Sequence, residues 1–174
     1  MIRWIRWSLF TLVLAAIIHW FVVTEAPSVM MWRAMAKVGG RANWINHGER
    51  ATEASHAIVK PSPDLLYSTC VFDVSRRPLK IVTGAPADTY WSVALYSDTT
   101  DNFFVLNGTK AQGQPATVVL LGPGQSAPVD TAGTITVTAP TTRGLVIFRT
   151  LVDDDNRFAE IDQARRAANC QTLP

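Results

Sequence analysis

Arg149 is the residue whose surroundings most invite chemistry. It interrupts an otherwise apolar run at 145–152. A guanidinium buried in such a run must be paired to offset its desolvation. Asp64 or Asp101 could supply the carboxylate, and Tyr67, Asn102 and Arg143 add further polar groups. Two roles fit this set. One is a structural ion pair that fixes a hairpin loop. The other is an Arg/Asp/Tyr cluster that binds an anionic small molecule or moves protons. We favour the structural role and keep Asp64, Tyr67, Asp101, Asn102 and Arg149 as candidate ligand-binding residues.

Other reactive residue types are poorly spaced. His47 and His56 stand nine residues apart, whereas a metal pair on one helix needs spacings such as i, i+4 and usually further ligands. Cys70 and Cys170 are distant from both. No metal and no cofactor are expected, and each histidine reads as a structural one. Asp153-Asp154-Asp155 lacks the alternating oxygens and closing Glu of a calcium loop and reads as a helix cap. The chain has no Gly-x-Ser-x-Gly elbow, no Ser-x-x-Lys and no phosphate-binding glycine loop, so neither hydrolysis nor nucleotide binding is indicated. The formal charge of +2 is accounted for by Arg3 and Arg6, since 16 Lys+Arg less these two leaves 14 against 14 Asp+Glu. No basic stripe is present to neutralise phosphates, so nucleic acid is not an expected partner.

The elements that would position these residues are mostly strands. Residues 90–96 alternate apolar and polar types, 97–102 is a polar turn cluster, and 103–106 is apolar again. This reads as a hairpin at the centre of a β domain. Further strands are predicted at 65–74, 79–83, 117–121, 134–138 and 145–152. About seven short strands argue for a mainly β fold, an antiparallel β-sandwich or jelly-roll-like domain, rather than a parallel α/β sheet. A closing helix follows the Asp triplet, with Phe158, Ile161 and Ala168 facing inward and Arg165-Arg166 supplying positive charge near its C-terminus.

The N-terminal segment is of another kind. Residues 7–23 carry no charge beyond a possible one on His19, and Arg3 and Arg6 precede them. A helix crossing a bilayer needs ~20 apolar residues, with ~17 as the lower limit. Trp4, Trp7 and Trp20 sit where an aromatic belt would place them, and the arginines put the N-terminus in the cytoplasm. A cleaved signal peptide is the rival, but Thr24-Glu25-Ala26 is a poor cleavage site. We therefore expect an anchor over 1–26 in contact with lipid through 7–23. A helical linker region follows at 27–58, and the β domain occupies 59–174. Pro27 suits the first turn of a second, short helix over 29–38, which Gly39-Gly40 would stop.

Cys70 and Cys170 bear on location. Outside the cytoplasm a disulfide is permitted. Closing a loop of about 100 residues is worth ~4.7 kcal/mol in the chain-entropy model, and it would fasten the closing helix to the sheet. Two buried thiols are the alternative, and we favour the disulfide.

These motifs together resemble the domain-of-unknown-function family 1254 of bacterial envelope proteins. The residues that carry the likeness begin with Pro61-Ser62-Pro63-Asp64-Leu65-Leu66-Tyr67-Ser68, then Tyr90-Trp91, Leu95-Tyr96 and Thr100-Asp101-Asn102-Phe103. Leu121-Gly122-Pro123-Gly124, Ala139-Pro140-Thr141-Thr142 and Arg149-Thr150-Leu151-Val152-Asp153 complete it. The resemblance implies a short, singly anchored member without the second β domain, family 1214, of longer relatives. It implies envelope location and fold but no established reaction. Tryptophans common in the family after the Gly-Pro turn and before the last-strand arginine are replaced here by Gln125-Ser126 and the stretch 145–148.

The expected function is a non-catalytic envelope protein. Its helix would be anchored in the inner membrane, and its β domain would lie in the periplasm to bind an envelope protein or a small ligand. The alternative is a small-molecule enzyme or solute-binding domain with a polar site around Tyr67, Asp101 and Arg149.

Overall fold

The computed structural model describes residues 2–38, 41–52, 55, 60–84, 86, 88–127 and 133–173. His56, the glycine pair 39–40 and the expected domain boundary at 58/59 lie outside them.

One helix, α1, runs from Ile2 to Val38. The anchor and the short helix expected after it are thus continuous, and Pro27 lies inside α1 rather than opening a new helix. A proline in mid-helix forgoes one backbone hydrogen bond. The turns beyond it are held instead by Met31, Ala34, Met35 and Val38, which pack on the β domain as one stripe. The first two-thirds of α1 presents its apolar side chains outward, among them Phe10, Leu12, Ile17 and Phe21. By length and composition α1 is able to cross a membrane.

Nine strands follow among the described residues. They are β1 (Ile45–His47), β2 (Leu65–Asp73), β3 (Leu79–Val82), β4 (Trp91–Ser97), β5 (Asn102–Asn107), β6 (Thr117–Leu121), β7 (Ile135–Thr138), β8 (Arg143–Leu151) and β9 (Asn169–Thr172). Helix α2 (Phe158–Arg166) separates the last two. The strands form a five-stranded sheet of order β1-β2-β8-β4-β5 and a four-stranded sheet of order β7-β6-β3-β9. The pairs are antiparallel except β6·β7, which is parallel. The fold is therefore a mainly β two-sheet domain with a long N-terminal helix and a short C-terminal one.

The middle of the first sheet is β8, not the β4–β5 hairpin, which forms one flank. This follows from the apolar content of β8. A strand covered on both faces reads as a nearly continuous hydrophobic run. The even-numbered residues of β8 and β2, such as Val146, Phe148, Cys70 and Phe72, join Val93 and Leu95 of β4 against Leu79, Ile81, Val118 and Leu120 of the second sheet. Gly144 is required at the crossing of three strands, because a Cβ there would lie 2.1 Å from the Tyr96 carbonyl oxygen and 2.6 Å from the Phe72 ring.

The disulfide Cys70–Cys170 is formed, its two cysteines 100 positions apart in the sequence. Cys170 belongs to β9 and not to the end of the closing helix. Its register partner is Ile81. The bond therefore ties the two sheets together across the core. The Asp triplet caps the 3-10 turn that leads into α2, with the Asp154 carboxylate accepting from the Asn156 amide at 2.9 Å, whereas the N-cap of α2 itself is Arg157, which makes no side-chain cap bond. Asp153 pairs with Arg157, and Asp155 with Arg50.

Candidate functional site

The outer face of the five-stranded sheet carries the odd residues of β2 and β8 and the even residues of β4. Register places Tyr67 beside Arg149, Thr69 beside Ile147 and Val71 beside Leu145. It also places Tyr96 on the far side of Leu145 and Ser92 on the far side of Arg149. Helix α1 lies on part of this face. Met31 is buried against Val71 and Leu145, and the Val38 carbonyl accepts from Asn46 Nδ2 at 3.1 Å.

Where α1 stops covering the sheet, a cleft of about 470 Å³ remains. One wall is Met30, Met31, Ala34 and Val38 of α1, and its floor is Leu145, Ile147, Tyr67 and Tyr96. Two cations, Arg149 and Lys60, border it, and no described lining residue is acidic. Its size falls within the ~300–1,000 Å³ range of small-molecule sites.

Of the five candidate ligand-binding residues, the structure brings two to this cleft, Tyr67 and Arg149. Tyr67 Oη accepts from the Ser62 amide at 3.1 Å, which leaves its own proton free to donate. Arg149 has no carboxylate partner among the described residues, and its side chain reaches Tyr96 Oη at 3.5 Å. The expected ion pair with Asp64 or Asp101 is not made. Asp64 is exposed at the entry to β2, where its carbonyl accepts from the Val152 amide at 2.9 Å. Asp101 is exposed in the β4–β5 turn and accepts from Thr99 Oγ1 at 2.7 Å. Asn102 bonds the Leu95 carbonyl at 3.2 Å beside a register shift in the same hairpin. These two residues shape the turn. Arg143 pairs with Asp73 at 3.7 Å, away from the cleft. Period-2 alternation explains the outcome, because Arg149 is on the half-covered outer face of β8 and escapes the desolvation that would demand an acid.

The buried arginine is Arg165, on the last turn of α2, at 2% exposure. Its guanidinium donates to the Asp162 carboxylate, to the Gly48 and Tyr67 carbonyls at 3.0 and 2.7 Å, and to Ser68 Oγ at 3.1 Å. Arg166 holds the other Asp162 oxygen at 2.7 Å. Burial alone would raise the Asp162 pKa, but the two guanidiniums, Arg166 ahead of Arg165, hold it below its ordinary value. His47 Nδ1 meets the same Ser68 Oγ at 2.8 Å. Desolvation, reinforced by Arg165 and Arg166, lowers its pKa. Ser68 is completely buried, so this His–Ser contact presents no nucleophile to solvent. The network fastens α2 and β1 to β2. Its signal in the sequence is spacing, since Arg165 stands four residues after the inward-facing Ile161 and so on the same helix face.

Among the described residues no three His, Cys, Asp or Glu side chains converge to hold a metal ion.

Comparison with known proteins agrees with this architecture. The chain is similar in structure to the VPA0106 protein from Vibrio parahaemolyticus, with a TM-score of 0.69 and 10% identity over 86% of this chain and 35% of that one. An uncharacterized protein from Burkholderia cenocepacia aligns with a TM-score of 0.48 and 12% identity over 76% of this chain and 35% of that one. The chain thus spans about a third of the length of each. No curated protein matches it in sequence. The family model described as a protein of unknown function, DUF1254, matches residues 42–172, which include all nine strands and α2. The chain belongs to the DUF1254 family.

Proposed function

We propose that this chain is a membrane-anchored, non-catalytic binding module of the bacterial envelope, with its N-terminus in the cytoplasm and its β domain in the periplasm. The observation that carries this reading is the junction of two features. A helix able to cross a membrane runs into a domain cross-linked by a disulfide, and such bonds persist in oxidising compartments. Arg3 and Arg6 ahead of the apolar stretch favour this orientation. The cleft between α1 and the sheet is the place for a small ligand, because apolar walls and a few convergent polar groups meet there. The reading as a small-molecule enzyme is weaker. Asp64 and Asp101, the carboxylates it would need, stand outside the lining of the cleft.

The test is thiol accessibility in bacterial cells that express the full chain. Cys70 and Cys170 are both buried. A membrane-impermeant maleimide of high mass should shift the protein on a denaturing gel only after reduction and denaturation. Free thiols that stay unreactive until lysis would place the domain in the cytoplasm and overturn the reading.

A further inference from the structure

We propose that the cleft beside α1 holds a phospholipid with an anionic headgroup, drawn from the same bilayer that α1 crosses. This inference rests on the anchored reading above. The first ground is position. Helical rise is about 1.5 Å per residue, so Met30 lies about 10 Å along the axis from the end of the apolar stretch at Val23. The headgroup layer is ~5–8 Å deep on each side of the hydrocarbon core. Met30, the α1 lining residue nearest that stretch, would therefore stand just beyond the headgroup layer, next to the lipid surface. Val29, Met30 and Trp32 are exposed in the intervening turns, and apolar and tryptophan side chains of this kind favour the membrane interface.

The second ground is chemistry. The cleft pairs an apolar surface with two cations and no described acid. Arg149 makes no ion pair among the described residues, and its one hydrogen bond is long. Its register partner on β4, Ser92, outside the lining of the cleft, keeps a buried hydroxyl without a hydrogen-bond partner among the described residues. Tyr67 has a proton to donate. A phosphate oxygen near Arg149 would satisfy the guanidinium, and an acyl chain would cover Met31, Leu145 and Ile147. A wholly soluble anion would leave the apolar wall wet, and a neutral lipid would leave the cations unmatched.

The experiment uses the full chain in phosphatidylcholine nanodiscs doped with phosphatidylglycerol that carries a photoactivatable acyl chain. Cross-linked peptides are mapped by mass spectrometry. We expect adducts on α1 and also on the β8 peptide holding Leu145 and Ile147. Phosphatidylcholine carrying the same photoactivatable chain should label α1 but leave β8 largely clean. Arg149→Gln should lower the β8 adducts about tenfold, as the loss of a charged hydrogen bond predicts, with α1 labelling unchanged. Lys60→Gln, at an exposed position, should lower them in the same direction and guards against a folding defect in the first variant. A β8 peptide free of adducts while α1 is labelled would overturn the lipid inference alone. Equal β8 labelling by both lipids would overturn the headgroup preference. Loss of the β8 adducts on adding inorganic phosphate would assign the cleft to a soluble anion. An unlabelled α1 would instead overturn the anchored reading.

Discussion

Replacing Arg165 by methionine should be far more damaging than the same change at Arg149, although Arg149 is the arginine set in an apolar strand. Arg165 is 2% exposed and donates to a carboxylate, two carbonyls and a hydroxyl. Breaking a buried ion pair by removing one partner costs ~3–5 kcal/mol. Asp162 keeps Arg166 at 2.7 Å, which places its share at the low end of that range. Three further acceptors lose a donor, but the Tyr67 carbonyl keeps the Gly48 amide and Ser68 Oγ keeps His47, so the Gly48 carbonyl carries most of the added cost, about 1–2 kcal/mol. Filling the space with an apolar chain of similar length returns part of this. The net expectation is a loss of about 3–4 kcal/mol, or roughly a 10 °C fall in melting temperature for a chain of this size. Arg149→Met removes one long hydrogen bond and no described ion pair, and it should cost under about 1 kcal/mol. The assay is thermal unfolding of the full chain in detergent micelles, followed by near-ultraviolet circular dichroism. Arg165→Lys adds a control, since an ammonium keeps the charge but cannot fork to all these acceptors. It should recover less than half of the loss. Equal losses at the two positions, or a loss at Arg165 within about 0.5 kcal/mol of zero, would refute the assignment of Arg165 as the clasp between α2 and β2.

Gly144→Ala should destabilise by about 3 kcal/mol, the upper part of the overpacking range, because the new Cβ would meet backbone and the Phe72 ring below 3 Å. Chemical denaturation checks this, and a near-neutral result would show that β2 and β4 can part locally. Stability should also fall on acidification in two stages. The folded pKa of His47 is lowered from 6.5, so the unfolded chain binds more protons below that pH and stability declines as pH drops from 6.5 through the folded value. The pKa of Asp162 is lowered from 3.8, so its contribution is full above 3.8 and disappears as pH falls further. His47→Gln should remove the first stage and leave the second, as read by melting temperature across the pH range.

The legible parts of the fold were those in which a strand pattern and a burial pattern coincide. The expected strand at 117–121 matches β6, and those at 65–74 and 145–152 match β2 and β8 within two residues at each end. Nothing local makes β1 and β9 strands. Asn-Cys-Gln-Thr is a polar tetrapeptide that becomes β9 only by pairing with β3. The parallel pair β6·β7 is likewise a matter of long-range docking, since a run such as Thr-Ile-Thr-Val-Thr carries no direction. At the candidate site, Tyr67 and Arg149 were visible as polar residues in strand sequence. Their neighbours in the cleft come from α1, which is far away in the chain and whose placement depends on three-dimensional packing. The charged residue that is truly buried looked like an ordinary cation at a helix C-terminus. A dipole argument and a burial argument apply to the same position there, and only the contacts decide between them.

The unbroken course of α1 makes it a lever. A domain on a floppy tether turns freely, so its attitude carries no information about the membrane. In the anchored reading proposed above, the residues that would enter the bilayer and those that dock on the sheet belong to one helix of 37 residues. A transmembrane helix answers a change in bilayer thickness by tilting. Because Met31, Ala34 and Met35 are seated on the sheet, such a tilt would carry the β domain with it, to the extent that the turn at Pro27 does not absorb it. The domain's orientation over the surface would then act as a gauge of the thickness of the lipid beneath it.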